Sequence, residues 1–202
     1  MALWLAAQPL MLASRSAARR TMLEAAGVPV ELRPADLDER AVESAAGPVA
    51  PAAVAALLAR QKALAIAALH PGRLVLGADQ TLALGAQRFS KPADAAVARA
   101  QLRSLSGKMH ELHSALAFVQ TTQVLFEYVG KARLFMRAFS DRFLDLYLDA
   151  GGEAATSSVG AYQLEGLGAQ LFDRVDGDYF TILGLPLLPA LDFLRRQGYL
   201  AS

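Results

Sequence analysis

The stretch RLVLGADQTLALGAQRFSKP, Arg73 to Pro92, decides the fold. An apolar run, Leu74-Val75-Leu76, leads through Gly77-Ala78 to Asp79-Gln80-Thr81, and a short buried strand is the reading that fits such a run. Asp79 falls where that strand would end. In open α/β sheets ligands sit in the crevice at the carboxyl ends of strands, so Asp79 is a candidate functional acid. The alternative is an Asp that starts a turn before Thr81. Beyond it, Leu82 to Phe89 reads as a hairpin with Gly85 at its turn, which would carry Lys91 back towards Asp79.

Working outward from this strand, Leu10-Met11-Leu12 reads as a first buried strand, and Ser14-Arg15-Ser16 as the turn into a helix from Ala17 to about Ala26, closed by Gly27 and Pro29. A helix start with serines and arginines has the outline of an anion site, because its N–H groups are unpaired and Arg19 and Arg20 supply guanidinium forks. An ordinary capped helix with solvated arginines explains the same residues. Met1 to Ala13 is apolar, but it lacks an early Lys or Arg, is interrupted by Gln8-Pro9, and is shorter than the roughly 20 residues of a membrane span.

Val28 to Arg33 fits a second strand. Asp36, Asp38 and Glu39 follow in what reads as a loop, either solvated or supplying the one or two carboxylates that Mg²⁺ ordinarily takes. Gly47 to Pro51 is a connector, and Pro51 opens an Ala/Leu-rich helix to about Leu69 with Leu57, Leu58, Leu64 and Ile66 as its apolar surface. Within it Lys62 stands among Ala59, Ala63, Leu64 and Ala65. It either snorkels to water or aims its ammonium at a buried anion.

Ala93 to Leu105 is expected to be helical, His110 to Val119 and Val124 to Phe139 to be long strands, and Asp141 to Ala150 a helix capped by Ser140. His110 and His113 would face opposite sides of their strand and share no metal. The glycine-rich segment Gly160 to Gly168 is not a dinucleotide fingerprint, because Leu171 occupies the third glycine's place, and Gly107-Lys108-Met109 is not a phosphate loop. Gln170 to Val175 and Phe180 to Leu183 read as strands around an Asp176-Gly177-Asp178 turn, and Gly184-Leu185-Pro186 leads into a closing helix to about Arg196.

Composition bounds the function. The 202 residues suit a single domain, 1–202, with 54% hydrophobic and 19% charged residues and no internal repeat. Twenty Lys and Arg against 19 Asp and Glu leave a formal charge of +1, too little to hold DNA or RNA by a global field. The absence of Cys removes thiolate chemistry and Cys-ligated zinc, and agrees with a cytoplasmic location. What remains is a set of cations (Arg19, Arg20, Lys62, Lys91), acids (Asp38, Glu39, Asp79) and glycine-rich loops at element ends. A triphosphate with bound Mg²⁺ needs such a set.

In this arrangement the chain resembles the Maf-like nucleoside triphosphate pyrophosphatases, also called septum-formation inhibitors. The resemblance is carried by Leu12-Ala13-Ser14-Arg15-Ser16 with Arg19, Ala59-Arg60-Gln61-Lys62-Ala63, Leu76-Gly77-Ala78-Asp79, Lys91-Pro92, Leu105-Ser106-Gly107, Gly160-Ala161-Tyr162, Gly177-Asp178-Tyr179 and Gly184-Leu185-Pro186-Leu187. It implies an α/β fold with a long mixed, twisted sheet flanked by helices, two lobes around a cleft, and often a homodimer. It also implies Mg²⁺- or Mn²⁺-dependent hydrolysis between the α- and β-phosphates. Asp79 matches the family's catalytic base, Ser14, Arg19, Lys62 and Lys91 its phosphate-holding positions, and Glu39, with Asp79, its metal-linked acids.

Departures from the pattern concern the base. Relatives that prefer dTTP or UTP carry Arg where Ala18 stands, Thr at position 80 and Gln at position 165. Gln80 and Glu165 resemble the branch acting on 7-methyl-GTP, although that branch has Trp at position 18. Ala17 replaces a usual proline, Ser90 a common glycine and Ser158 a frequent lysine. An ionised Glu165 only accepts hydrogen bonds, which suits the N–H edge of guanine and the positive charge of 7-methylguanine. The expectation is therefore a 7-methyl-GTP pyrophosphatase. A dTTP/UTP pyrophosphatase and a non-catalytic nucleotide-binding regulator of cell division are the competing readings.

Overall fold

The computed structural model describes residues 3–152 and 154–202, the side chains of 154 and 155 excepted, so the first two residues of the apolar N-terminal stretch lie outside it. The strands are β1 (Leu10–Leu12), β2 (Val30–Leu32), β3 (Leu74–Leu84), β4 (Gln87–Phe89), β5 (Met109–Gln120), β6 (Gln123–Met136) and β7 (Phe172–Asp176). The helices are α1 (Ala17–Ala25), α2 (Glu39–Ala46), α3 (Pro51–Leu69), α4 (Ala95–Leu105), α5 (Asp141–Gly151), α6 (Ala154–Ser157), α7 (Tyr179–Ile182) and α8 (Leu187–Arg196). They form the expected α/β architecture, a seven-stranded mixed sheet ordered β2-β1-β3-β5-β6-β7, with β4 added to β3.

The sheet is parallel where β1 meets β2 and β3, and antiparallel along β3, β5, β6 and β7. Alternation along β3 and β5 gives each face its own cover. Leu76, Ala78, Leu116 and Phe118 pack with α1 and α8, and Phe118 stacks on Phe193 at 4.4 Å. Further along the same face Leu82, Leu112 and Leu134 form a second core with α4, α5 and Tyr162. A polar layer separates these two cores: Gln80 donates to Ser114 Oγ at 2.9 Å, and Ser114 Oγ to Thr181 O at 2.6 Å. The opposite face receives α3.

Helix α3 meets the sheet through Ala55, Ala59, Ala63 and Ala67, spaced four apart and all buried, so the seam is the alanines as much as the leucines. Gly77 makes the closest approach. A Cβ there would lie 2.1 Å from Ala59 O and 2.8 Å from Ala63 N. By length and mean hydropathy (1.6) α3 passes for a membrane span, yet seven of its side chains are buried against this protein, and Arg60 and Lys62 form ion pairs from it.

Three expectations are corrected. Strand β3 does not stop at Asp79 but runs on to Leu84 as the first arm of the hairpin. Glu39 is not in a loop: Asp38 accepts from Ala41 N and caps α2, whose first residue is Glu39. Phe180 to Leu183 is not a strand, because Asp178 caps the short helix α7 by accepting from Thr181 N at 2.7 Å. The ends of β6 and β7 also shift, to Met136 and Phe172.

Candidate functional site

The site is a gap in the edge of β3. Strand β1 pairs only as far as Leu12 with Leu76, and β4 begins only at Phe89 with Leu82. Between them residues 77–81 have β5 on one side and, among the described residues, no strand on the other. The charged side chains converge there.

From the α3 face comes the acid and its cation. Asp79 is 8% exposed, and its Oδ1 lies 2.5 Å from Lys62 Nζ. Lys62 also meets Glu39 Oε1 at 2.7 Å, so one ammonium bridges two carboxylates. This resolves the Lys62 question in favour of the buried anion. Burial raises the Asp79 pKa above its ordinary value, and the neighbouring Glu39 adds to the rise; Lys62 and Arg19 oppose it without cancelling it. A carboxyl so placed is a stronger proton acceptor than an exposed one.

From the helix α1 side comes Arg19. Its Nε donates to Gly184 O at 2.8 Å, and its NH1 donates to Ala78 O at 2.8 Å and Ser14 Oγ at 3.1 Å. The Ala78 carbonyl is one that the edge gap leaves without a strand partner, and the guanidinium supplies the missing donor. Desolvation lowers the Arg19 pKa while Asp79 and Glu39 favour its charge. Ser14, also buried, accepts from Ser16 N and Arg19, leaving its hydroxyl hydrogen to donate. Ser16 caps α1 through Arg19 N, as its place before the helix predicts.

Gln80 points the other way from Asp79, as strand alternation requires. Its Nε2 donates towards Ser114 Oγ, Thr181 O (3.2 Å) and Ile182 O (2.9 Å), which leaves Oε1 as its remaining polar atom. The turn at Gly160 packs beside it. A Cβ on Gly160 would sit 2.5 Å from Leu82 Cδ1, two residues beyond Gln80 on the same face. Glu165 is exposed in the loop that follows this turn. Lys91 is exposed just past β4, and the hairpin register, Phe89 with Leu82, directs the chain at 90–92 back along β3 towards Asp79. Ser158 Oγ accepts from Gln163 Nε2 at 3.4 Å.

The structure thus gathers Asp79, Lys62 and Glu39 in one cluster and Ser14 with Arg19 at its rim, with Gln80 on the reverse face. His110 and His113 stay out of it: His110 is buried against Tyr162, and His113 lies 3.2 Å from Glu111. Sequence reading missed Ser114 and Thr181, the partners of Gln80. Ser114 carried a signal, as a polar residue in the apolar strand Leu112 to Val119.

Fold and side-chain cluster together define a mixed-sheet α/β protein with a buried acid beside cations at a break in the sheet. A family described as "Maf-like protein" matches residues 9–197. The chain is 59% identical over 201 residues, spanning all of both chains, to a "Nucleoside triphosphate pyrophosphatase" of Rhodopseudomonas palustris. It is 53% identical over the full length of a protein of that description from Bradyrhizobium diazoefficiens. A third, from Paramagnetospirillum magneticum, is 53% identical over 94% of this chain and 99% of its own. The chain belongs to the Maf-like protein family.

Proposed function

We propose that this protein is a nucleoside triphosphate pyrophosphatase that hydrolyses the α–β phosphoanhydride of 7-methyl-GTP, releasing 7-methyl-GMP and pyrophosphate. The coarser activity is that of an acid-anhydride hydrolase of nucleotide metabolism. Family membership and full-length relatives of that name support it. The observation that carries the chemistry is the buried Asp79 carboxylate bridged to Glu39 by Lys62 at the sheet break.

In this reading Asp79 orients a water and takes its proton as the water oxygen bonds to the α-phosphorus and the bridging oxygen departs with pyrophosphate. Lys62, Lys91, Ser14 and Arg19 hold phosphate oxygens, and the charge of the three cations favours the leaving pyrophosphate as its own charge builds. Asp79 and Glu39 would hold a divalent cation, Mg²⁺ or Mn²⁺, once Lys62 turns from them to phosphate: both carboxylates reach one ammonium, and one or two carboxylates are what Mg²⁺ ordinarily takes. Among the described residues no group of three His, Cys, Asp or Glu converges, so waters and phosphates would complete the shell. Such an ion, when bound, acidifies water and neutralises phosphate charge.

The base assignment rests on acceptors. With its amide nitrogen committed to protein oxygens, Gln80 offers Oε1, and Glu165 offers a carboxylate. Two acceptors suit the adjacent N1–H and amino donors of a guanine edge, whereas uracil and thymine present one N–H between two carbonyls. The test is pyrophosphate release from 7-methyl-GTP, GTP, dTTP and UTP with Mg²⁺ or Mn²⁺ and with chelator. The highest kcat/KM is expected for 7-methyl-GTP, with no turnover in chelator. A clear UTP or dTTP preference would overturn the base assignment. Absence of pyrophosphate from the whole panel would favour a binding regulator instead.

A further inference from the structure

The turn that leads into the Glu165 loop is strained. Gly160 and Ala161 take φ values of 77° and 63°, two consecutive residues in the left-handed region, and Ala161 carries a Cβ there. Such backbone persists only where its surroundings over-determine it, and it collects at functional sites. Here the surroundings are two buried polar side chains outside the Asp79 cluster. Tyr147 of α5 donates through Oη to Ala161 O at 3.1 Å, and His110 of β5 pairs through Nε2 with Tyr162 Oη at 2.7 Å. Tyr162 stands edge-on to Phe172 at 4.9 Å, and His110 contacts both rings.

Among the described residues His110 Nδ1 has no hydrogen-bond partner, although the residue is fully buried. The hydrogen bond between Nε2 and Tyr162 Oη is therefore the one polar contact of this ring among those residues, with the donor set by the tautomer. An apolar ring would fill this place without an orphaned nitrogen. What the histidine provides is the hold on Tyr162. The segment beyond is closed on itself: Gly166 N donates to Gln163 O, and a Cβ on Gly168 would sit 2.3 Å from that same oxygen. A compact loop on a fixed turn moves as the turn moves.

We infer that Tyr147 and His110 are positioning residues for nucleotide selectivity: they clamp the left-handed Gly160–Tyr162 turn so that the loop bearing Glu165 is presented on the Gln80 side of β3. This rests on the reading of Gln80 and Glu165 as base-recognising groups. Neither clamp residue touches the phosphate-binding cluster, so loosening the turn should change which nucleotide is taken and spare the chemistry.

The test uses the full chain with Tyr147→Phe, and separately His110→Phe, each of which removes one clamp while keeping a ring in its place. For each, kcat and KM are measured with 7-methyl-GTP, GTP, UTP and dTTP. The ratio of kcat/KM between the nucleotide preferred by the unsubstituted protein and the next is expected to fall about tenfold, through KM, with kcat on the poorer substrates within about twofold. An equal loss on all four nucleotides in either variant, or unchanged ratios in both, would overturn the inference, as would an unsubstituted protein with no selectivity. A preference for UTP in the unsubstituted protein would remove the 7-methyl-GTP assignment alone, since the ratio is taken against whichever nucleotide is preferred.

Discussion

Asp79 owes its character to what its side chain is packed against. An exposed aspartate is a weak proton acceptor, and one buried without a cation would simply protonate. Burial raises its pKa, and Lys62 and Arg19 limit the rise, so the group is a better base that still has charged partners. Asp79→Asn keeps the shape and removes the proton acceptor, so kcat should fall by about a thousandfold or more, while circular dichroism and the unfolding midpoint stay close to those of the parent. Pyrophosphate release near the parental rate would remove Asp79 from the role. At this scale the sequence was informative about identity and mute about direction. Period-two alternation sets Asp79 and Gln80 on opposite faces of whatever strand contains them. Which face meets the acid's cation depends on the side of the sheet on which α3 folds back, although only residues 70–73 join it to β3, and the alternation within the strand does not record that side.

Among elements, helix α3 was the most legible and its contact the least. Pro51 at its start and the apolar run to Leu69 mark both ends, as observed. Gly77 reads only as part of the run into Asp79, yet it is the point in β3 where α3 touches the strand. Replacing it with Ala would drive a methyl into the Ala59 carbonyl, and backbone cannot rotate away as a flexible side chain can. Gly77→Ala should therefore cost about 3 kcal/mol or more in urea unfolding. A loss below about 1 kcal/mol would mean that α3 can slide, and with it Lys62. Misread elements share a physical cause. Phe180 to Leu183 is too short for a period, so apolar composition could not separate strand from helix, and the Asp178 cap decided it. In the acidic segment the capping sequence at Asp38 was present but was read for its charge.

At the scale of the molecule, the strand order was not legible, because pairings such as Val75 with Val119 join residues with no local sequence relation. Strands β3 and β5 run through both cores on one face, so neither half can lose its strands without the other. His110 lies in one core, and Trp4, stacked on Tyr199 at 5.9 Å, packs against the other. Burial pushes the His110 pKa down from 6.5 to about 4. The folded state then binds fewer protons than the unfolded state between those values, so stability is complete above about pH 6.5 and is lost as pH falls towards 4. At 1.4 kcal/mol per unit the full effect is about 3 kcal/mol, or about 10 °C for a chain of this length. His110→Phe should flatten that slope whatever it does to stability at neutral pH. If the two cores unfold together, the flattening appears equally in Trp4 fluorescence and in far-ultraviolet circular dichroism. Should the Trp4 transition keep the parental pH dependence while the circular dichroism loses it, the two cores are separate folding units, and the long strands do not couple them.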